Sequence, residues 1–160
     1  MLAANQRYAA SRFPLRLPAR ASRGLALLTC IDSRIDPLAA LGLQLGEAKI
    51  LRNAGGRVTP DVLRSLVVAV RLLEVDRILV MHHTQCGLIG TREGLLEKLA
   101  AKGPLPDWDF LALSDPDRDL RSDVQAIRAC PFLPPDTPVA GGRYDVESGR
   151  LEMVLAEGTS

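Results

Sequence analysis

The sequence predicts an α/β fold on a mostly parallel central sheet, and two observations carry that expectation. Short apolar runs alternate with helical patterns along the chain, which is the order of a sheet whose strands are joined by crossover helices. The first and third runs are almost wholly apolar and do not alternate with polar residues, as expected for strands covered on both faces. With 160 residues the chain is long enough for one domain with a real core. The expected organisation is a single domain over 1–160, with an N-terminal arm over 1–23 and an α/β core over 24–160.

The arm is polar and arginine-rich and contains Pro14 and Pro18. It is expected to need a surface or a partner subunit to order it. Gly24 then opens the first strand, Leu25 to Cys30. A second candidate, Ala48 to Arg52, stops at Asn53-Ala54-Gly55-Gly56, and a third runs from Arg77 to His82. Asp36 is placed to cap a short helix through Pro37 and Ala40. Thr59 caps a longer one, with Pro60 at its first position, where the missing amide costs nothing. From Asp61 to Glu74 the polar residues Asp61, Arg64, Arg71 and Glu74 form one narrow stripe, so the helix is expected to be largely buried, by the sheet on one side and with another subunit as a candidate cover on the other. Arg92 to Ala101 and Asp119 to Cys130 read as two further helices, the second ended by Pro131. Between them lies a Pro- and Asp-rich loop in which Trp108 is the expected anchor. Val139 to Val154 reads as two short strands around Glu147-Ser148-Gly149.

Bulk properties exclude several classes. Hydrophobic residues make up 47% of the chain, charged residues 24%, and the formal net charge is +1, so neither nucleic acid nor an anionic membrane is an expected partner. No run reaches the roughly 18 apolar residues that a membrane span needs, and the N-terminus lacks the apolar core of a secretory signal. The expected location is the cytoplasm. Three cysteines is an odd number, which in a reducing compartment points to metal binding or catalysis more than to disulfides.

The chemistry-bearing residues fall at strand ends. Cys30 closes the first strand, and His83 and Cys86 follow the third. In an open parallel sheet, ligands bind beyond the carboxyl ends of the strands at a switch in strand order. If the first and third strands are neighbours there, Cys30, His83 and Cys86 converge. Two thiolates and an imidazole suit a catalytic zinc ion, which keeps a fourth position for chemistry. Asp32 and Arg34 follow two and four residues after Cys30. The carboxylate can take the fourth metal position itself, while a bidentate pair with Arg34 would draw it away and leave the position to water. Alternation along the third strand points His82 away from His83, toward packing. Gly55 and Gly56 can form a turn or bring backbone amides close to a substrate.

Taken together, Cys30-Ile31-Asp32-Ser33-Arg34 and His83-Thr84-Gln85-Cys86-Gly87 resemble the paired signature of the β-class carbonic anhydrases. The similarity continues through Gly46-Glu47, Arg52-Asn53-Ala54-Gly55-Gly56 and the helix after Thr59, and more weakly through Tyr144-Asp145-Val146 and Gly149-Arg150-Leu151. The resemblance implies about four parallel strands plus one antiparallel strand, flanked by helices. It implies one zinc ion per subunit and reversible hydration of carbon dioxide to bicarbonate and a proton. It also implies a dimer or tetramer whose arm packs on its neighbour. Carried over by position, Cys30, His83 and Cys86 are metal ligands, Asp32 is a further ligand in a closed state, and Asp32 with Arg34 is the catalytic dyad. Gly55 and Gly56 are not carried over in this way; from their own chemistry they are candidates for a plain turn or for the substrate pocket.

Some positions depart from the commonest family pattern: His82 stands where many members have Gly, Lys49 where a Phe often lines the pocket, and Gly56 where Asn is usual. The compact subgroup with a His-His-Thr-x-Cys-Gly turn is also related to hydrolases of carbon disulfide or carbonyl sulfide, which is the alternative activity. A structural zinc site or a nucleotide-binding module without catalysis is a third reading, opposed by Asp32 and Arg34, because a structural site more often closes with a fourth Cys or His. A thiol redox role lacks a Cys-x-x-Cys pair.

Two thiolates donate more charge to zinc than three histidines do, so water there should be less acidic than in an all-histidine site. The hydration rate, followed by stopped flow, is expected to rise toward alkaline pH. A profile flat from acid to alkaline conditions would contradict this.

Overall fold

In the computed structural model, which describes residues 1–12 and 16–156, one five-stranded sheet organises the chain. The strands are β1 (Leu25–Cys30), β2 (Ala48–Asn53), β3 (Arg77–His83), β4 (Val139–Tyr144) and β5 (Leu151–Leu155). Their order is β2-β1-β3-β4-β5. The first four run parallel, and β5 pairs antiparallel with β4. Five helices accompany them among the described residues: α1 (Leu2–Arg12), α2 (Pro37–Ala40), α3 (Pro60–Leu72), α4 (Arg92–Ala100) and α5 (Pro116–Arg128). The fold class is the one the sequence predicts.

The sheet order does the positioning. From β1 the chain moves to one neighbour, β2, and then crosses back over β1 to form β3 on its other side. This reversal brings the carboxyl ends of β1 and β3 side by side, with Thr29 opposite Met81. The hydroxyl of Thr29 donates to the Met81 carbonyl at 2.8 Å in a fully buried position, which ties the two strands near those ends.

On one face of the sheet Ala26, Leu28, Ile78, Val80 and Val139 pack against Val62, Leu66 and Ala69 of α3 and Leu120, Val124 and Ile127 of α5. On the other, Leu27, Leu79, Met81 and Ala140 meet Ile35, Cys86 and Leu113, which come from the segments around the strand ends. The two longest helices of the core therefore share a face, and the chemistry-bearing turns cover the opposite one.

Helix starts follow their caps. Thr59 accepts from the Val62 amide ahead of Pro60. Asp36 accepts from the Ala39 amide ahead of Pro37. The helix expected from Asp119 starts at Pro116, because Asp115 accepts from the Arg118 amide and Pro116 takes the first position. It is the same Asp/Thr-Pro signal as at the other two helices. Helix α3 leaves Val68 and Leu72 exposed in the single chain.

Within the arm Leu2–Arg12 is a helix, and none of its residues is buried in its own chain. Pro14 lies outside the described residues, and Pro18 is exposed. One expectation needs correction. Trp108 does not anchor its loop; it is exposed, and its ring centroid lies 6.4 Å from that of Phe110.

One buried ionic cluster joins α5 to the sheet and to the turn after β2. Asp123, 5% exposed at its side chain, accepts from Arg57 Nε at 2.7 Å and from the Val58 amide at 3.0 Å. Its Oδ2 also lies 3.1 Å from His82 Nε2. Arg57 reaches on to the carbonyls of Leu111 and Ala112. Removing one partner of such a cluster strands a buried charge, at a cost of about 3–5 kcal/mol. Asp123→Ala is therefore expected to lower unfolding stability by that order in urea denaturation. A loss below about 1 kcal/mol would show that the cluster is dispensable.

Candidate metal centre

Cys30, the last residue of β1, and His83, the last of β3, face each other across the sheet end, and the turn after β3 returns Cys86 to them. All three are buried. Their ligand atoms lie within 4.8 Å of one another, and the two sulfurs are 4.0 Å apart. The ring of His83 is fixed in a definite tautomer. Its Nδ1 lies 2.8 Å from the Thr84 carbonyl, which can only accept, so the proton is on Nδ1 and the lone pair on Nε2. Nε2 is buried and has no hydrogen-bond partner. A buried nitrogen lone pair facing two sulfurs is a costly arrangement without a cation and a natural one with it. The residues present fit a soft divalent metal.

The electrostatics agree. The thiol of Cys30 is drawn well below its ordinary value, chiefly by the hydrogen bond from Cys86. Burial opposes this, while His83 and the amides of Asp32 and Gly55 add to it. Cys86 moves upward in turn, because it supplies the proton of that bond and is itself buried. For His83, burial pulls the pKa down, but the nearby Cys30 sulfur, the Thr84 carbonyl and the Asp32 carboxylate outweigh it and the net shift is upward.

Asp32 stands beside this cluster, with Oδ2 3.9 Å from His83 Nε2. Arg34 holds it in a fork: Nε donates to Oδ1 at 2.9 Å and Nη2 to Oδ2 at 2.7 Å, and the Arg34 amide adds a third bond to Oδ1 at 3.0 Å. These hydrogen bonds keep the Asp32 carboxyl well below the usual carboxylate range. Of the two alternatives open in the sequence, carboxylate toward the metal or toward the arginine, this structure has the second.

The segment from Cys30 to Ile35 keeps its shape through Arg52 of β2. Its guanidinium donates to three backbone carbonyls: Cys30 at 2.9 Å, Ile35 at 3.2 Å and Asp32 at 2.7 Å. The turn after β2 is shaped by glycines. Gly55 has φ 76°, and a Cβ there would fall 2.8 Å from Leu88. Its amide points to the Cys30 sulfur at 3.3 Å. Gly56, with φ 67°, packs on the backbone of Thr29 and Cys30, where a Cβ would approach to 3.0 Å. Asn53 closes this turn by accepting from the Arg57 amide and donating to the Arg57 carbonyl. His82 faces α5 and lies outside the cluster. Lys49 bonds to the carbonyl of Ala19 in the segment that leads into the core.

The family model described as carbonic anhydrase matches residues 25–109. The β-carbonic anhydrase 1 of Mycobacterium tuberculosis is 36% identical over 155 residues, which cover 96% of this chain and 94% of that protein. The chain belongs to the β-carbonic anhydrase family. Among solved structures, a carbonic anhydrase from Streptococcus mutans superposes with a TM-score of 0.90 at 40% identity, covering 96% of this chain and 94% of that one. A carbon disulfide hydrolase of Acidianus is also similar, 31% identical over 81% of this chain and 76% of that protein.

Within this member of the β-carbonic anhydrase family, sequence reasoning brought together the cysteines, His83, Asp32 and Arg34 and passed over the residues that hold them. Arg52 gave no signal except its place in the shared motif. Asp123 did give one: it sits in the apolar stripe Leu120, Val124 and Ile127 of α5, and a carboxylate in such a stripe needs a buried partner. Gln85 falls at the x of the His-His-Thr-x-Cys-Gly turn, yet it touches Arg34. For Arg52, the expected result of Arg52→Leu is a protein that folds but loses at least about tenfold in kcat, since three carbonyl anchors of the Asp32 segment go unpaired. Full activity in that variant would show that the segment holds itself.

Proposed function

We infer that this chain catalyses the zinc-dependent, reversible hydration of carbon dioxide to bicarbonate and a proton. The observation that carries the reading is the convergence of Cys30, Cys86 and the unpartnered His83 Nε2 beside the Asp32–Arg34 fork, in a chain of this family. Cys30, His83 and Cys86 would hold one zinc ion per subunit. Bound there, zinc is a Lewis acid that makes a nucleophile of water near neutral pH. Asp32, kept ionised by Arg34, accepts a hydrogen bond from the attacking water and orients it toward the carbon. Arg34 keeps the carboxylate from taking the metal position; released from Arg34, Asp32 would close the site as a fourth ligand. Gly55 and Gly56 would line the substrate pocket by their backbone alone, since the Gly55 amide reaches the Cys30 sulfur and a Cβ at either position would meet protein atoms.

A cytoplasmic location suits a site that depends on two reduced thiols, and all three cysteines are free. Among the described residues no helix is long and apolar enough to cross a membrane. Self-association as a dimer or tetramer would cover α1, which buries nothing in its own chain. It would also cover the exposed Val68, Leu72 and Phe132.

Stopped-flow hydration of carbon dioxide by the zinc-loaded protein, set against hydrogen sulfide release from carbon disulfide and carbonyl sulfide, tests the substrate. Rapid hydration is expected, and a loaded protein that hydrates negligibly while releasing sulfide would transfer the reading to the alternative hydrolase. Asp32→Ala should keep metal content near one per chain and lower kcat by about a hundredfold. An unchanged rate would remove Asp32 from the mechanism.

A further inference from the structure

The fork of Arg34 on Asp32 is 43% exposed at the arginine side chain, and an exposed ion pair by itself holds its geometry weakly. Further contacts fix this one. Gln85, between His83 and Cys86, takes both remaining faces of the guanidinium: its side-chain Oε1 accepts from Arg34 Nη1 at 3.2 Å and its carbonyl accepts from Nη2 at 3.1 Å. The backbone makes the second contact from a left-handed conformation, φ 55°, which few non-glycine residues adopt and which persists where surroundings impose it.

The Gln85 amide can face Arg34 with its oxygen or with its NH2, and only the oxygen can accept. Glu147 decides this. Its carboxylate accepts from Gln85 Nε2 at 2.7 Å, and an ionised carboxylate cannot donate, so the Gln85 oxygen is turned toward Arg34. Glu147 belongs to the turn between β4 and β5, and that turn is firmly seated. Asp145 Oδ1 accepts from the amides of Glu147 and Ser148, and the hydroxyl of Thr84, next to Gln85, accepts from the Val146 amide. The Thr84 amide donates to the Tyr144 carbonyl. A chain of contacts thus runs Glu147, Gln85, Arg34, Asp32 and ends 3.9 Å from His83 Nε2.

We propose that Gln85, oriented by Glu147, is a positioning residue that latches Arg34 onto Asp32 and so keeps the carboxylate off the metal position. The proposal rests on the metal reading given above. The β4–β5 turn, which holds no ligand in that reading, then sets the balance between an open and a closed site. The orienting role depends on an acceptor at position 147 and not on its charge. Glu147→Gln should preserve it, whereas Glu147→Lys places a donor there, pulls the Gln85 oxygen away and frees Arg34.

The test uses the full chain loaded with cobalt(II), titrated with azide and followed by its visible absorption, since azide competes with Asp32 for the fourth position. Gln85→Leu and Glu147→Lys are expected to bind azide about tenfold more weakly than the unmodified protein, the scale of one lost hydrogen bond to a charged group. Glu147→Gln should stay within about twofold. Metal content and thermal midpoint should be the same in all four proteins. Azide affinity in Gln85→Leu and Glu147→Lys equal to that of the unmodified protein would overturn the latch while leaving the metal site standing. Weakening in Glu147→Gln as large as in Glu147→Lys would overturn the orienting role of Glu147. Should Gln85→Leu fail to fold, Glu147→Lys on the exposed turn decides the matter alone. An unmodified chain that takes up no cobalt would sink the metal reading and the latch with it.

Discussion

A buried imidazole nitrogen with no hydrogen-bond partner faces two sulfurs 4.0 Å apart, and this is the constraint on which the rest of the site depends. Left to itself, such a cluster forces its protons into a compromise, with one thiol drawn down and the other pushed up. A divalent cation resolves it, because both sulfurs can then ionise and the nitrogen lone pair has a partner. The Thr84 carbonyl makes this possible by holding the proton on the other ring nitrogen. The surrounding polar contacts serve to keep these three side chains, and the carboxylate beside them, in one arrangement.

Arginines supply most of that support, each in a different way. Arg52 gathers three carbonyls and so shapes the segment that carries Cys30 and Asp32. Arg57 is buried against Asp123 and anchors the glycine turn whose amide meets the Cys30 sulfur. Arg34 grips the Asp32 carboxylate directly. A planar guanidinium with five donors can satisfy several acceptors at once, which a lysine at these positions could not do. The cluster of Arg57, Asp123 and His82 lies on the opposite face of the sheet from Cys30, His83 and Cys86, yet it holds the residue next to His83. Stability and site geometry are therefore coupled through β3.

Asp32 is the variable element. Its distance from His83 Nε2 is short enough that a modest movement would bring it among the ligands, and its pairing with Arg34 is what this structure shows instead. Since the pair is partly exposed, neighbours can tune it at little energetic cost. Gln85 and the β4–β5 turn are such neighbours, drawn from a part of the chain far from Asp32 in sequence.

The sequence by itself determined the fold class, the caps of α2 and α3, and the five residues of the candidate site, because each leaves a local mark. Apolar runs mark buried strands, Thr-Pro and Asp-Pro mark helix starts, and the paired motifs mark the candidate ligands and their neighbours. The same local mark was present at Asp115-Pro116 and passed unread. What the tertiary structure alone decided was how those residues are held. That β1 lies beside β3 is a property of strand order, which no local pattern encodes. The partners of Arg52 and Gln85 are backbone carbonyls and a distant glutamate, contacts that depend on register and turn geometry and leave no trace in spacing. Whether Asp32 faces the metal position or Arg34 is likewise a matter of competing long-range hydrogen bonds, and only the folded chain sets their geometry.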